Sequence, residues 1–137
     1  MDLQERAMLL ATSARLTTAS ADLERMLTGR QPQYKSNLKW AGSLLAKLEN
    51  RLPIYAQSKF PEMDAINLGP EYYMNLAEMY MQGVLHFSKQ TEHNTFVRRC
   101  YHMLASGGKQ QPLSYRETAT LIMLFDRLST TFLNMRH

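Results

Sequence analysis

Residues 70–89 carry apolar side chains around most of a helical circumference. When the stretch is placed on a helical wheel, its polar side chains fall on one narrow stripe. The stripe consists of Glu71, Asn75, Glu78, Gln82, His86 and Lys89. A helix that is apolar on nearly every side must be surrounded by other helices. The pattern therefore predicts a central helix, Pro70–Lys89, in an all-α protein.

A first helix is predicted from Leu3 to Thr28, because leucines recur along it at helical spacing. They are Leu9, Leu16, Leu23 and Leu27. Several Ser and Thr residues in the same stretch are weak helix formers, so packing has to hold this segment. Gly29 is in the usual position for a C-terminal stop, and Pro32 follows in a turn.

A second helix is predicted over Asn37–Arg51, with Ser36 as its N-cap and a face of leucines. Pro53 ends or kinks this helix, and residues 54–59 add a short continuation. Another helix is predicted to begin at about Thr91 or Glu92 and to run to Ala105.

The last helix is predicted to open at a capping box, Ser114–Glu117, and to run to about Met135. Before it, Gly107 and Gly108 end the preceding helix. The inward side chains expected on the last helix are Leu121, Ile122, Leu124, Phe125, Leu128, Phe132 and Leu133. The chain, with 137 residues, has the length of one domain. We therefore expect residues 1–137 to form a single compact bundle of about five helices.

The composition argues for an intracellular protein without a membrane anchor. One cysteine permits no intrachain disulfide, so a reducing compartment is the default. The N-terminal residues do not follow a cationic segment with a hydrophobic run, and no apolar stretch is long enough to span a bilayer. A cytoplasmic location is expected.

No catalytic or metal-binding motif is visible in the sequence. The candidate ligands do not have the spacing of a known metal site; they are His86, His93, Cys100, His102 and His137. Cys100 falls on an apolar helical stripe, which indicates a buried, inert thiol. We expect no enzyme activity and no metal or cofactor; a helical enzyme with a metal in its core remains as a third hypothesis.

Charge is distributed unevenly along the chain, whose net charge is +4. Seven basic residues and one acidic residue lie between Arg25 and Lys59, whereas five acidic residues and one basic residue lie between Glu62 and Glu92. The two blocks are able to pair within one molecule, to form separate faces, or to pair between copies.

Basic side chains group on predicted helix faces and next to helix ends. On the second helix they fan out opposite the leucines, and the fourth helix repeats the arrangement. Lys35 and Lys39 also lie at a helix N-terminus, where the helix dipole disfavours cations, which favours a functional reason for them. The candidate nucleic-acid-binding residues are Arg30, Lys35, Lys39, Lys47, Arg51, Arg98, Arg99 and Lys109.

Two further features bear on this interpretation. Tyr34 and Trp40 lie beside the basic residues, and an exposed ring at either position would stack on an unpaired base. The alternative for each basic helix is an ordinary solvated face, because helices of soluble proteins need one.

Two stretches, NLKWAGSLLAKLENRLPIY (Asn37–Tyr55) and PEYYMNLAEMY at the start of the central helix, lie in a compact basic chain without catalytic motifs. Together they give the chain an architecture that resembles the small subunits of CRISPR effector complexes of the Cascade type. The resemblance implies an all-α, non-catalytic subunit that contacts the displaced DNA strand or the guide–target duplex through basic faces. It also implies assembly with other protein subunits, including copies of itself.

The alternative function is a helical protein-interaction module, such as a phage adaptor, an inhibitor or a secretion chaperone, that binds no nucleic acid. Its support is the acidic block beside the basic block and the high content of methionine, with 10 residues. The sequence leaves open the partner proteins, the choice between DNA and RNA, and the copy number.

Overall fold

Four helices make up 80% of the described part of the chain, and no strand occurs in that part. The computed structural model describes residues 2–49 and 89–135. The helices, numbered here in chain order, are α1 (Leu3–Leu27), α2 (Lys35–Glu49), α3 (Gln90–Ala105) and α4 (Tyr115–Asn134). The all-α prediction is confirmed. The count within the described residues is four rather than five, because the predicted central helix lies outside them, apart from Lys89.

Helices α1 and α4 form an antiparallel pair joined by buried hydroxyl groups. The Ser129 hydroxyl donates to the carbonyl oxygen of Ser13 at 2.8 Å, and Ser20 Oγ donates to the carbonyl oxygen of Ile122 at 3.3 Å. As the residue number rises along α1, its partner on α4 falls, which defines the antiparallel direction. The serine side chains at positions 13, 20 and 129 are small, which permits a close approach of the two backbones. The packing that the sequence requires for the Ser- and Thr-rich α1 is thus supplied by α4.

The hydrophobic core lies among α1, α2, α3 and α4. Leu9, Leu16 and Leu23, the predicted seam of α1, are fully buried, while Leu27 is partly buried against the core. The largest buried side chains are Tyr101, Phe125 and Phe132. Helix α2 packs against both α1 and α3. On α4 the predicted inward stripe is confirmed except at Leu133, which is 37% exposed.

Both predicted glycine stops are confirmed. At the end of α1, Gly29 has a φ of +79° and donates its N–H to the carbonyl of Met26 at 3.1 Å. The next N–H, that of Arg30, bonds to the carbonyl of Arg25 at 3.0 Å. These two bonds are the Schellman motif, in which a left-handed residue satisfies carbonyls that have no partner within the helix.

Helix α3 ends in the same way, with two glycines in the left-handed region. Gly107 has a φ of +64° and bonds to the carbonyl of Leu104, and Gly108 has a φ of +86° and bonds to the carbonyl of Met103. The predicted capping box of α4 is also present. Ser114 Oγ accepts the Glu117 N–H at 3.1 Å, and the Glu117 carboxylate accepts the Ser114 N–H at 3.0 Å.

Among the helices described, none is both long and apolar enough to cross a bilayer.

Candidate nucleic-acid interface

The two connections between helices in the described part of the chain lie at the same end of the described helices and touch each other. A Cβ atom placed on Gly107 would lie 3.1 Å from Lys35 Cβ, and one placed on Gly108 would lie 3.1 Å from Pro32 Cγ. The end of α3 therefore packs on the start of α2 and on the turn before it. We call residues 28–39 and 106–117 the loop end.

The loop end is strongly basic, with five cationic residues and one acidic residue. The five cations are Arg30, Lys35, Lys39, Lys109 and Arg116. Every one of these side chains is exposed, and none forms an ion pair with a carboxylate of the described residues. The single acid, Glu117, is already bound to Ser114 and to Arg99. The surface at this end therefore presents positive charge that is not paired with a carboxylate of the described residues.

Four of the eight predicted residues meet at the loop end because the two connections meet there. Lys35 and Lys39 are at the contact itself, since Lys39 Cε would be 3.5 Å from a Cβ on Gly107. Lys109 directly follows Gly108, and Arg30 precedes Pro32 by two residues. In the sequence Lys109 is more than 60 residues from the other three, and the fold brings the two segments into contact.

The other four predicted residues do not join this group. Arg99 donates to the Glu117 carboxylate at 3.2 Å, so its charge is paired. Arg98 is exposed on α3 and Lys47 is half-buried near the end of α2, and each is engaged in an intramolecular interaction. Lys47 is about 18 Å along α2 from Lys35, at 1.5 Å per residue. Arg51 lies outside the described residues.

The structure supplies a local reason for cations at the start of α2. Their own helix dipole disfavours them, but the C-terminal end of α3, which carries partial negative charge, lies against them at Gly107. The positions of Lys35 and Lys39 are therefore compatible with stability as well as with binding. Their place at a helix N-terminus does not by itself indicate a functional role.

A buried carboxylate fixes the chain where it enters α2. Asp22 of α1 is 1% exposed and accepts the backbone N–H groups of Gln33 at 2.8 Å and Tyr34 at 2.9 Å. The Tyr34 carbonyl accepts from Asn37 and Leu38, so Tyr34 is the N-cap residue. The prediction of Ser36 as the N-cap is wrong, because the helix begins at Lys35 and Asp22 satisfies the incoming backbone.

Two tyrosine side chains are exposed at the loop end. Tyr34 is 57% exposed and Tyr115, the first residue of α4, is 71% exposed. Trp40, the other predicted stacking residue, is half-buried, and the Arg15 guanidinium carbon lies 4.4 Å from its ring centroid. One face of the indole is therefore occupied by a cation–π contact that joins α1 to α2.

Sequence reasoning missed Tyr115 and Arg116. Both lie between the two residues of the capping box. That motif predicts where α4 begins, but it does not show that these two side chains are exposed. The signal was present for Arg116, which falls outside the apolar stripe that begins at Leu121. Tyr115 lies at the edge of that stripe, at the same wheel angle as Leu133, which is also exposed.

The described residues contain no cluster of three or more His, Cys, Asp or Glu side chains that could hold a metal ion. Cys100 is fully buried, as its place on the apolar stripe predicted.

Comparison with known proteins finds no matching family model, no matching curated protein and no matching solved structure.

Proposed function

We propose that this protein is a non-catalytic helical subunit that binds the nucleic-acid backbone through its loop end, within a larger ribonucleoprotein complex. The observation that carries the proposal is the gathering of five exposed cations, none ion-paired to a carboxylate of the described residues, where two connections touch. Such a subunit resembles the small subunits of CRISPR effector complexes, as its sequence architecture does. The full chain would form a single bundle of about five helices, the fifth being the predicted central helix.

The chemistry of the loop end fits phosphate better than a small carboxylate ligand. Phosphates along a strand are repeated charges, and cations spread over two connections and two helix starts are able to contact several of them. Each phosphate that is contacted releases a condensed counterion, which makes binding favourable and dependent on salt. Arginine adds bidentate contact with phosphate oxygens at Arg30 and Arg116. No base needs to be recognised, so binding would be independent of sequence.

The proposal is tested by measuring affinity for labelled oligonucleotides over a range of salt concentrations. Four to five phosphate contacts on a single strand give a slope of about −3 in a plot of log K against log salt, at about −0.7 for each phosphate. Oligonucleotides of the same length and different sequence should bind with equal affinity. Binding that is absent at about 50 mM salt, or flat with salt, would remove the proposal.

An acidic protein surface is the second candidate partner, because the same five cations would meet carboxylates as well as phosphates. The protein-interaction module considered from the sequence would use the loop end in this way. It predicts no nucleic-acid binding in the salt titration and a salt-sensitive complex with an acidic protein instead.

A further inference from the structure

We propose that the loop end binds unpaired nucleic-acid strands in preference to duplexes, with Tyr34 and Tyr115 as platforms on which bases stack. This inference rests on the proposed function and adds the class of substrate to it. One exposed tyrosine on a protein surface is ordinary. Two of them among the five exposed cations of the loop end combine the two features by which proteins hold single strands without reading their sequence.

The backbone of Tyr34 is fixed by hydrogen bonds although its ring is exposed. Its N–H bonds to the buried Asp22 carboxylate at 2.9 Å, and its carbonyl starts the hydrogen bonding of α2. Its hydroxyl has no hydrogen-bond partner among the described residues, and the next residue is the exposed Lys35. A base stacked on this ring would lose little backbone ordering on the protein side, and the flexible Lys35 side chain starts one residue away for contact with a phosphate.

Tyr115 is positioned in a comparable way. It directly follows Ser114, whose capping box fixes the start of α4, and it directly precedes Arg116. Its side chain is more exposed than that of Tyr34, and it packs into no part of the core. Each of the two tyrosines is thus followed in the chain by a cation, at the start of a helix whose first turn is fixed by hydrogen bonds.

To contact both rings, one strand has to reach from the start of α2 to the start of α4. Helix α1 packs against α2 and against α4, and packed helices are about 8–10 Å apart, so the axes of α2 and α4 are at most about 20 Å apart. A strand of a few nucleotides covers that distance. In a duplex the bases are stacked on one another and only their edges are accessible in the grooves, so neither ring is able to stack on them. The cations contact either form, but the tyrosines add affinity only for the unpaired one.

The test compares three proteins on three probes at one salt concentration. The proteins are the natural chain, the double variant Tyr34→Ala/Tyr115→Ala and the double variant Tyr34→Phe/Tyr115→Phe. The probes are a labelled oligothymidylate, a duplex of equal length, and a strand of equal length in which the bases are replaced by abasic sites. Circular dichroism verifies that each variant is folded.

The expected result is that the natural chain binds the oligothymidylate more tightly than the duplex or the abasic strand. The alanine variant should lose this preference, with a decrease on the order of 5- to 100-fold for each stacked base, and should keep its affinity for the duplex. The phenylalanine variant should bind like the natural chain, because it keeps both rings.

Two outcomes overturn the inference and are distinguishable. If the natural chain binds all three probes equally and the alanine variant binds the oligothymidylate as well as before, stacking is absent while backbone binding remains. If the natural chain binds none of the probes, the proposed function fails and the inference fails with it.

Discussion

Gly107 and Lys35 are in direct contact at the junction of α3 and α2. A Cβ on Gly107 would lie 3.1 Å from Lys35 Cβ and 3.4 Å from the Lys35 carbonyl oxygen. Two features favour glycine at this position: its φ of +64° is left-handed, and a methyl group would fit only if Lys35 moved by a few tenths of an ångström. This close approach places the end of α3 on the start of α2 and thereby assembles the loop end.

Replacing Gly107 with Ala is expected to destabilise the protein more than replacing Gly29 with Ala. Both positions have a positive φ, which costs an L-residue about 1–2 kcal/mol, but nothing lies within 4 Å of a Cβ on Gly29. The difference between the two variants therefore isolates the close approach to Lys35. Urea unfolding measures the free energy of unfolding of each variant. Equal decreases would mean that the start of α2 moves aside for the new Cβ at no cost in free energy.

The buried carboxylate of Asp22 should contribute more to stability than an exposed one. Asp22→Asn removes one of two acceptors for the N–H groups of Gln33 and Tyr34 and turns an amide N–H₂ group towards one of these donors. We expect a decrease of about 2–3 kcal/mol in unfolding free energy, the upper range for hydrogen bonds to a charged group. The matched control is Asp126→Asn on the exposed side of α4, which should change the unfolding free energy by less than about 0.5 kcal/mol. Equal effects of the two variants would contradict this role for Asp22.

Ser129 is the hub of the hydroxyl hydrogen bonds between α1 and α4. Because its single proton is donated to the Ser13 carbonyl, its oxygen accepts from the Ser13 hydroxyl at 2.8 Å, and the Thr17 hydroxyl lies 2.9 Å away. Ser129→Ala should cost about 1–2 kcal/mol, since it leaves a buried hydroxyl at Ser13 without this acceptor. Thr130→Ala, which removes an exposed hydroxyl bonded only within α4, is the control.

A double variant tests whether the hub acts as a unit. Ser13→Ala/Ser129→Ala removes both partners of the hydroxyl pair, so it should cost less than the sum of the two single variants in thermal or chemical unfolding. Strict additivity would show that the two hydroxyls do not interact.

Local signals in the sequence predicted the helix ends well. Gly29, Gly107 and Ser114 act on residues within one turn of themselves, so their effect is visible in the sequence alone. Ser36 was predicted wrongly as a cap, because the acceptor that fixes the start of α2 is Asp22, on another helix. The alternation of apolar and polar positions likewise predicted the buried seam of α1, because burial follows from helical period.

The candidate site was predictable only in part, because its assembly depends on tertiary structure. The pairing of Arg99 with Glu117 and the covering of Trp40 by Arg15 join residues that are far apart in the chain. In the same way, Gly107 and Lys35 become neighbours only when α3 packs on α2. Helical wheels place the basic residues on faces, but they do not show which faces share one surface.

Matched charge removal tests the central claim most directly. The double variant Lys39→Gln/Lys109→Gln removes two cations from the loop end, and the double variant Arg6→Gln/Arg127→Gln removes two exposed cations elsewhere on α1 and α4. Both variants lower the net charge by the same amount, so a general electrostatic attraction would affect them equally. The measurement is the salt dependence of oligonucleotide binding by fluorescence anisotropy.

We predict that the loop-end variant binds more weakly and that the magnitude of its salt slope decreases by about 1.4, or about 0.7 for each phosphate that no longer meets a cation. The control variant should retain the slope of the natural chain. Equal weakening of both variants, or no change in the loop-end variant, would contradict the assignment of nucleic-acid binding to this surface.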